Sequence, residues 1–156
     1  MSDSEPTLRP RPDPTWRAIA CGGFHCVALR DDGRVVTWGD RRRGQRRDAP
    51  TDAAGPYVAI ACGRSHSVAL RDDGRVVVWG SDEHDERADA PTDAGPYVGI
   101  ACGFHHSLAL RHDGHVITFG GNSLYQRRDS PTDAGYTWRS RVGFFTASRF
   151  APTAAS

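Results

Sequence analysis

Three segments of this chain lie over one another almost residue for residue. Ala18 to Gly39 reads AIACGGFHCVALRDDGRVVTWG, Ala59 to Gly80 reads AIACGRSHSVALRDDGRVVVWG, and Gly99 to Gly120 reads GIACGFHHSLALRHDGHVITFG. Cys21, Cys62 and Cys102 mark one position in each unit, at a spacing of about 40 residues, the period at which propellers and solenoids are built. The small mismatch is one alanine, present in TDAAGPY and absent from TDAGPY, and each unit closes on APTD or SPTD. A chain written this way must stack copies of one small unit, because no copy alone can bury its apolar faces.

Within a unit the local signals are those of strands. YVAIACG is short, apolar and stops at glycine; HSVALR alternates large and small side chains; RVVVWG is β-branched and aromatic. Between the last two, RDDGR predicts a tight hairpin in which the Asp-Gly pair supplies positive φ. The strongest strands are expected at Tyr57–Cys62, His66–Arg71 and Arg75–Trp79, with equivalents in the other units. Helical periodicity over a helical length is absent, and the strands are apolar on both faces, which fits small sheets each covered by its neighbours. The expected fold class is all-β: a partial β-propeller of three consecutive blades of short antiparallel strands, three or four to a blade.

The ends of the chain break the pattern. Residues 1–14, MSDSEPTLRPRPDP, are rich in Pro and charge and are expected to be a disordered leader. They contain no apolar stretch of the kind a secretory signal needs. The three repeats are placed at 15–54, 55–95 and 96–135. The tail, 136–156, begins YTWRSRVGFF and follows no unit. Back-translated and shifted by two bases, however, it spells one: TGG CGA TCG CGT GTG GGT, for Trp138 to Gly143, contains GCG ATC GCG TGT GGG, or Ala-Ile-Ala-Cys-Gly. Tyr136 to Ala155 can be read this way as a further copy of Tyr97 to Val116. The expectation is a frameshift between Gly135 and Thr137, leaving a tail without designed structure on what is otherwise a truncated piece of a larger propeller.

Composition excludes several classes. A net charge of +1 over 156 residues makes no electrostatic case for nucleic acid or for an acidic membrane. No apolar run approaches the ~20 residues that span a bilayer. Four cysteines, three of them at one repeated position, do not make a disulfide framework, so a reducing, cytoplasmic setting is expected.

The repeat itself resembles a known one. IACGRSHSVALRDDGRVVVWG, followed by GNSLYQ or RRRGQ and then Pro, is similar to the regulator of chromosome condensation repeat over about Trp16 to Gly135. That family's pattern is a Gly-x-x-His-Ser/Thr strand, an Asp-Gly turn, Trp-Gly, an Asn-x-x-Gly-Gln loop and a Pro before the next unit. The resemblance implies a β-propeller, commonly of seven blades, and an interaction scaffold. No unit keeps the Asn-x-x-Gly-Gln loop whole. The first has Arg41 for Asn and retains Gly44 and Gln45; the second, SDEHDERAD, has lost Asn, Gly and Gln together; the third keeps Asn122 and Gln126 but has Tyr125 for Gly. The family's founding member promotes nucleotide exchange on a small GTPase through loops this chain does not show. The reading is therefore a non-enzymatic protein-interaction scaffold, with a guanine nucleotide exchange factor for a small GTPase as the alternative.

Chemistry-bearing patterns have plain structural readings. The recurring Cys-x-x-x-His pairs, Cys21/His25, Cys62/His66 and Cys102/His106, offer two zinc-type ligands per unit, too few for a closed site, so no metal is expected. Each histidine is expected to hydrogen-bond within its own blade, with Cys filling space. His66-Ser67 and His106-Ser107 are adjacent on strands, so their side chains face opposite ways and cannot pair as base and nucleophile within one blade. Asp72 and Asp73 are turn formers, and no Lys-bearing phosphate loop occurs. No catalytic residue and no cofactor is expected. What remains is the contrast between basic DRRRGQRRD in the first unit and acidic SDEHDERAD in the second. These loops should lie side by side on one rim, so the partner-binding candidates are Arg41, Arg42, Arg43, Asp82, Glu83, Asp85, Glu86, Asn122 and Tyr125. The partner is an unnamed protein. Self-association through open blade flanks is also expected, with Val116, Ile117 and Phe119 on the flank of the third blade.

Overall fold

The turn between the second and third strands, RDDGR in two units and RHDGH in the third, sets the register of each sheet. Its middle unit shows how: Arg71 N–H donates to Arg75 C=O (2.9 Å) and Gly74 N–H to Arg71 C=O (3.1 Å), while the Asp73 carboxylate accepts from Arg75 N–H (3.1 Å). Gly74 has φ 83°, where a side chain is strained, and an added Cβ would also strike Pro96 at the start of the next unit. The loop therefore holds three residues closed by a left-handed glycine. Because Arg75 is spent on that turn, the third strand begins one residue later than the sequence suggests and ends on Gly80.

The computed structural model of the chain describes residues 13–45, 48–50, 55–84, 86–92 and 95–121. Its strands are β1 (Trp16–Cys21), β2 (His25–Arg30), β3 (Val35–Gly39), β4 (Tyr57–Cys62), β5 (His66–Arg71), β6 (Val76–Gly80), β7 (Tyr97–Cys102), β8 (His106–Arg111) and β9 (Val116–Gly120). They form three separate antiparallel sheets of three strands, ordered β1-β2-β3, β4-β5-β6 and β7-β8-β9. The register repeats: Ile19↔Ala28, Ile60↔Ala69 and Ile100↔Ala109, each with a shift just inside the first strand. This is the all-β, three-blade architecture expected. The tail and nearly all of the leader lie outside the described residues.

The strands are apolar on both faces because each sheet is covered twice. Tyr57, Ile60, Cys62, Ala69 and Trp79 turn toward the first sheet and meet Ala20, Val27 and Leu29. Ala59, Ala61, Val68 and Leu70 turn the other way and meet Tyr97, Ile100, Cys102, Ala109 and Phe119. Alternation along the strand thus assigns each side chain to one of two neighbours. Phe119 is accordingly 1% exposed, with Ile117 packed beside it, against the second blade. Their expected place on an open flank is corrected; Leu110, 41% exposed, lies on that side instead. The first sheet's outer face carries the same positions uncovered: Trp16 is 50% exposed, Ile19 70% and Trp38 48%, where Tyr57, Ile60 and Trp79 are buried.

The histidines join the blades. His25 Nε2 lies 2.6 Å from Ser67 Oγ, and His66 Nε2 lies 2.8 Å from Ser107 Oγ. The bond that the sequence suggested within a blade runs to the next blade, because histidine and serine sit on opposite faces of their own strand and only the neighbour presents its serine. Beside the His66 link, Arg64 N–H donates to Phe104 C=O (3.0 Å). The His66 ring lies over Gly63, where any Cβ would run into it and, at 2.8 Å, into the Gly103 carbonyl oxygen. Glycine at this position is what lets the blades close up. Burial holds His66 neutral, its pKa lowered to about 4; desolvation lowers His25 and His106 as well.

Candidate interaction surface

The Gly39, Gly80 and Gly120 ends of the third strands and the β1–β2, β4–β5 and β7–β8 connections gather at one end of the blades. Asp40 N–H donates to Phe24 C=O (2.9 Å), Ser81 N–H to Ser65 C=O (2.9 Å) and Gly121 N–H to His105 C=O (2.7 Å). The basic and acidic loops stand at this end, and they touch. Arg43 Nη1 pairs with Glu83 Oε2, and Arg87 Nη1 lies 3.3 Å from Asp48 Oδ2. Both pairs are solvated, so each contributes at most about 1 kcal/mol. A double-mutant cycle on Arg43→Ala and Glu83→Ala should give a coupling of about 0.5 kcal/mol, vanishing in molar salt. A coupling several times larger would contradict a solvated pair.

Of the candidates, Arg41, Arg42, Arg43, Asp82 and Glu83 are exposed on this rim, while Asp85, Asn122 and Tyr125 lie outside the described residues. Glu86 differs from the others. It is 1% exposed, and its Oε2 accepts from His84 N–H at 2.8 Å. In the first unit Gln45, 0% exposed, accepts from Arg43 N–H at 3.0 Å through Oε1. Glu86 therefore does in the second loop what Gln45 does in the first, and the loop whose sequence seemed lost keeps its fold. Asp82 helps by accepting from Arg87 N–H (2.8 Å) and Ala88 N–H (3.0 Å). The His105 ring faces Glu86 at 3.6 Å and His84 at 4.1 Å between centroids; burial, then the nearby His84, lowers its pKa.

Alongside these loops runs a feature the sequence reading missed. The Arg64 guanidinium sits 5.4 Å from the Phe24 ring centroid and 4.8 Å from that of Phe104, bridging all three blades. Both phenylalanines are 49% exposed. Arg64, Phe24, Arg42 and Arg43 line one shallow concavity with Asp40. The signal was present in the repeat: between the fixed Cys-Gly and His, the units read GF, RS and FH, a variable pair in the connection between the first two strands of each unit. Exposed aromatics stacked on a guanidinium combine large contact area with little side-chain entropy to lose, the composition of a protein-docking hot spot.

The adjacent His-Ser pairs hold no accessible hydroxyl. Ser67 and Ser107 meet an imidazole, but at 0% and 1% exposure neither hydroxyl can reach an external electrophile. Among the described residues, no three His, Cys, Asp or Glu side chains converge as a metal site.

Comparison with known proteins agrees with this geometry. The family profile described as "Regulator of chromosome condensation (RCC1) repeat" matches residues 16–45, 57–85 and 97–126. The E3 ubiquitin-protein ligase HERC2 of Homo sapiens is 53% identical over 36 residues, 23% of this chain and 1% of that protein. The crystal structure of human WBSCR16 superposes with a TM-score of 0.60 and 25% identity, over 69% of this chain and 33% of the other. Prp20p from Saccharomyces cerevisiae, described with its binding properties to Gsp1p and histones, gives a TM-score of 0.57 and 23% identity, over 67% and 33%. The chain thus spans about a third of those solved propellers and a very small part of the ligase.

Proposed function

Because the chain belongs to the regulator of chromosome condensation (RCC1) repeat family, we propose that it is a non-enzymatic, cytoplasmic protein-interaction scaffold whose docking face is the blade end carrying Phe24, Arg64 and Phe104. The observation that carries this reading is the exposed Phe24–Arg64–Phe104 stack, set among Arg42, Arg43, Asp82 and Glu83. A propeller's strands are consumed by packing against one another, so the connecting loops are where a partner is met. The stack crosses both blade junctions, so the surface exists only when the repeats are assembled. Its mixed charge and half-exposed aromatics suit a protein surface with an acidic and an apolar patch.

The test is affinity capture with the full chain, its Arg64→Glu variant and a control at the opposite end of the blades, Asp72→Lys. The expected result is a discrete protein retained by the native chain and the control and lost at least tenfold with Arg64→Glu. Retention unaffected by Arg64→Glu would place docking elsewhere. A nucleotide-release assay on a panel of small GTPases addresses activity: stimulated release would overturn the scaffold reading.

A further inference from the structure

The register of the first hairpin sets Cys21 directly opposite Cys26, with the sulfur atoms 3.2 Å apart and both thiols free. At the next pair along, Gly22 N–H donates to His25 C=O (2.8 Å). Cys21 and Cys26 therefore occupy the adjoining non-hydrogen-bonded pair, where Cα atoms approach to about 4.5 Å and side chains lie closest. That separation falls within the range of about 4.4–6.8 Å over which a disulfide closes. The same register pairs Cys62 with Ser67 and Cys102 with Ser107, sulfur to hydroxyl at 3.7 and 3.5 Å. Only the first unit replaces that serine with a second thiol. It is also the unit where the site is open: Cys21 is exposed and Cys26 half-buried, whereas Cys62 and Cys102 are buried.

We propose that Cys21 and Cys26 form a reversible disulfide, a peroxide-responsive modification site on the outer face of the first blade. The Cys21 sulfur, the exposed one, attacks a peroxide oxygen as thiolate. The O–O bond breaks, giving a sulfenic acid at Cys21 and hydroxide, which takes up the proton Cys21 had released. The Cys26 sulfur then displaces the sulfenic hydroxyl, forming the S–S bond, and its proton leaves with that oxygen as water. Two thiols lose two electrons together, and one hydrogen peroxide becomes two waters. The hydrogen bond to Cys21, with burial, raises the Cys26 thiol above its usual range, in keeping with Cys26 as the resolving partner. A low-molecular-weight thiol reverses the step by exchange. The disulfide would remove the S–H at the position where Ser67 and Ser107 meet the preceding blade's histidine, so oxidation changes the polar group that this outer face presents.

The experiment treats the full chain with limiting hydrogen peroxide, alkylates the remaining thiols and cleaves after arginine. Both cysteines then lie in the one peptide Ala18–Arg30, which also reports on Cys21 and Cys26 independently of Cys62 and Cys102. The expected peptide is lighter by two hydrogen atoms, takes no alkyl group, and regains both labels after dithiothreitol. Cys26→Ser should abolish the mass loss and leave Cys21 to carry higher oxidation states. In denaturing urea, closure at the same dose should fall several-fold, because the sheet no longer holds the sulfurs together. A native peptide labelled at both cysteines, one carrying a sulfinic acid at Cys21 with Cys26 still free, or equal closure with and without urea would each overturn the proposal.

Discussion

Lowering the pH from about 7 to about 4 should cost the folded chain on the order of 3 kcal/mol through His66 alone. In the unfolded chain this imidazole takes up a proton near 6.5, whereas in the fold burial, and secondarily His25 and the histidines of the third blade, lower its pKa to about 4. A group whose folded pKa is depressed stabilises fully above its unfolded value. Its contribution then drains away as the pH falls, because the unfolded state binds the proton first, and levels off below about 4, where both states are protonated. His25 and His106 are depressed in the same direction and add to the slope. Asp113, whose carboxyl is lowered chiefly by hydrogen bonds from the His115 backbone and ring, stabilises the fold above the ordinary carboxylate range and loses that contribution as the pH falls through and below it. Urea midpoints across this window would show the loss directly, and His66→Gln should flatten the profile while keeping a side chain that can reach Ser107. An unchanged slope in that variant would mean that another group senses the acid.

The strands and turns were legible because their causes are local. A β-branched run, an Asp-Gly pair and a period of two act within a few residues, and the observed strand bounds follow them apart from the one-residue displacement at Val76. The links between blades were not legible in that way. His25 meets Ser67, a residue far along the chain, and only the stacking of one sheet on the next selects it. The same holds for Arg64, whose partners Phe24 and Phe104 belong to the flanking units. Glu86 shows the opposite limit: its side chain looked like a solvated charge of an acidic loop, yet the loop turns it inward to accept His84 N–H, a role set by its position rather than by its charge. Coverage by a neighbouring blade, not alternation, decides which tryptophan matters, since Trp38 and Trp79 stand at equivalent register positions and differ only in whether a neighbour covers them.

Trp79→Ala should destabilise the chain by about 4 kcal/mol, and Trp38→Ala by about 1 kcal/mol or less, although the two residues stand at one position of the repeat. Trp79 is 1% exposed, fills the space between the first and second blades with Val27, Leu29 and Ile60, and donates its indole N–H to the Gln45 carbonyl at 3.0 Å. Truncation leaves a large cavity in the cluster that binds two blades together and strips a buried carbonyl of its partner, and both costs fall on the folded state. Trp38, 48% exposed, loses only the part of its surface that the first blade covers. Trp79→Phe separates the two components, because phenylalanine occupies this place in the third unit as Phe119 and packs there at 1% exposure. It should keep most of the packing and give up the hydrogen bond, a loss of about 1–2 kcal/mol. Denaturant unfolding of the three variants decides the matter. A small loss at Trp79 would show that blade-to-blade packing is not what holds the sheets together. Equal losses at Trp79 and Trp38 would show that the outer face of the first blade is covered in solution, and sedimentation of the native chain would then reveal whether a second copy covers it.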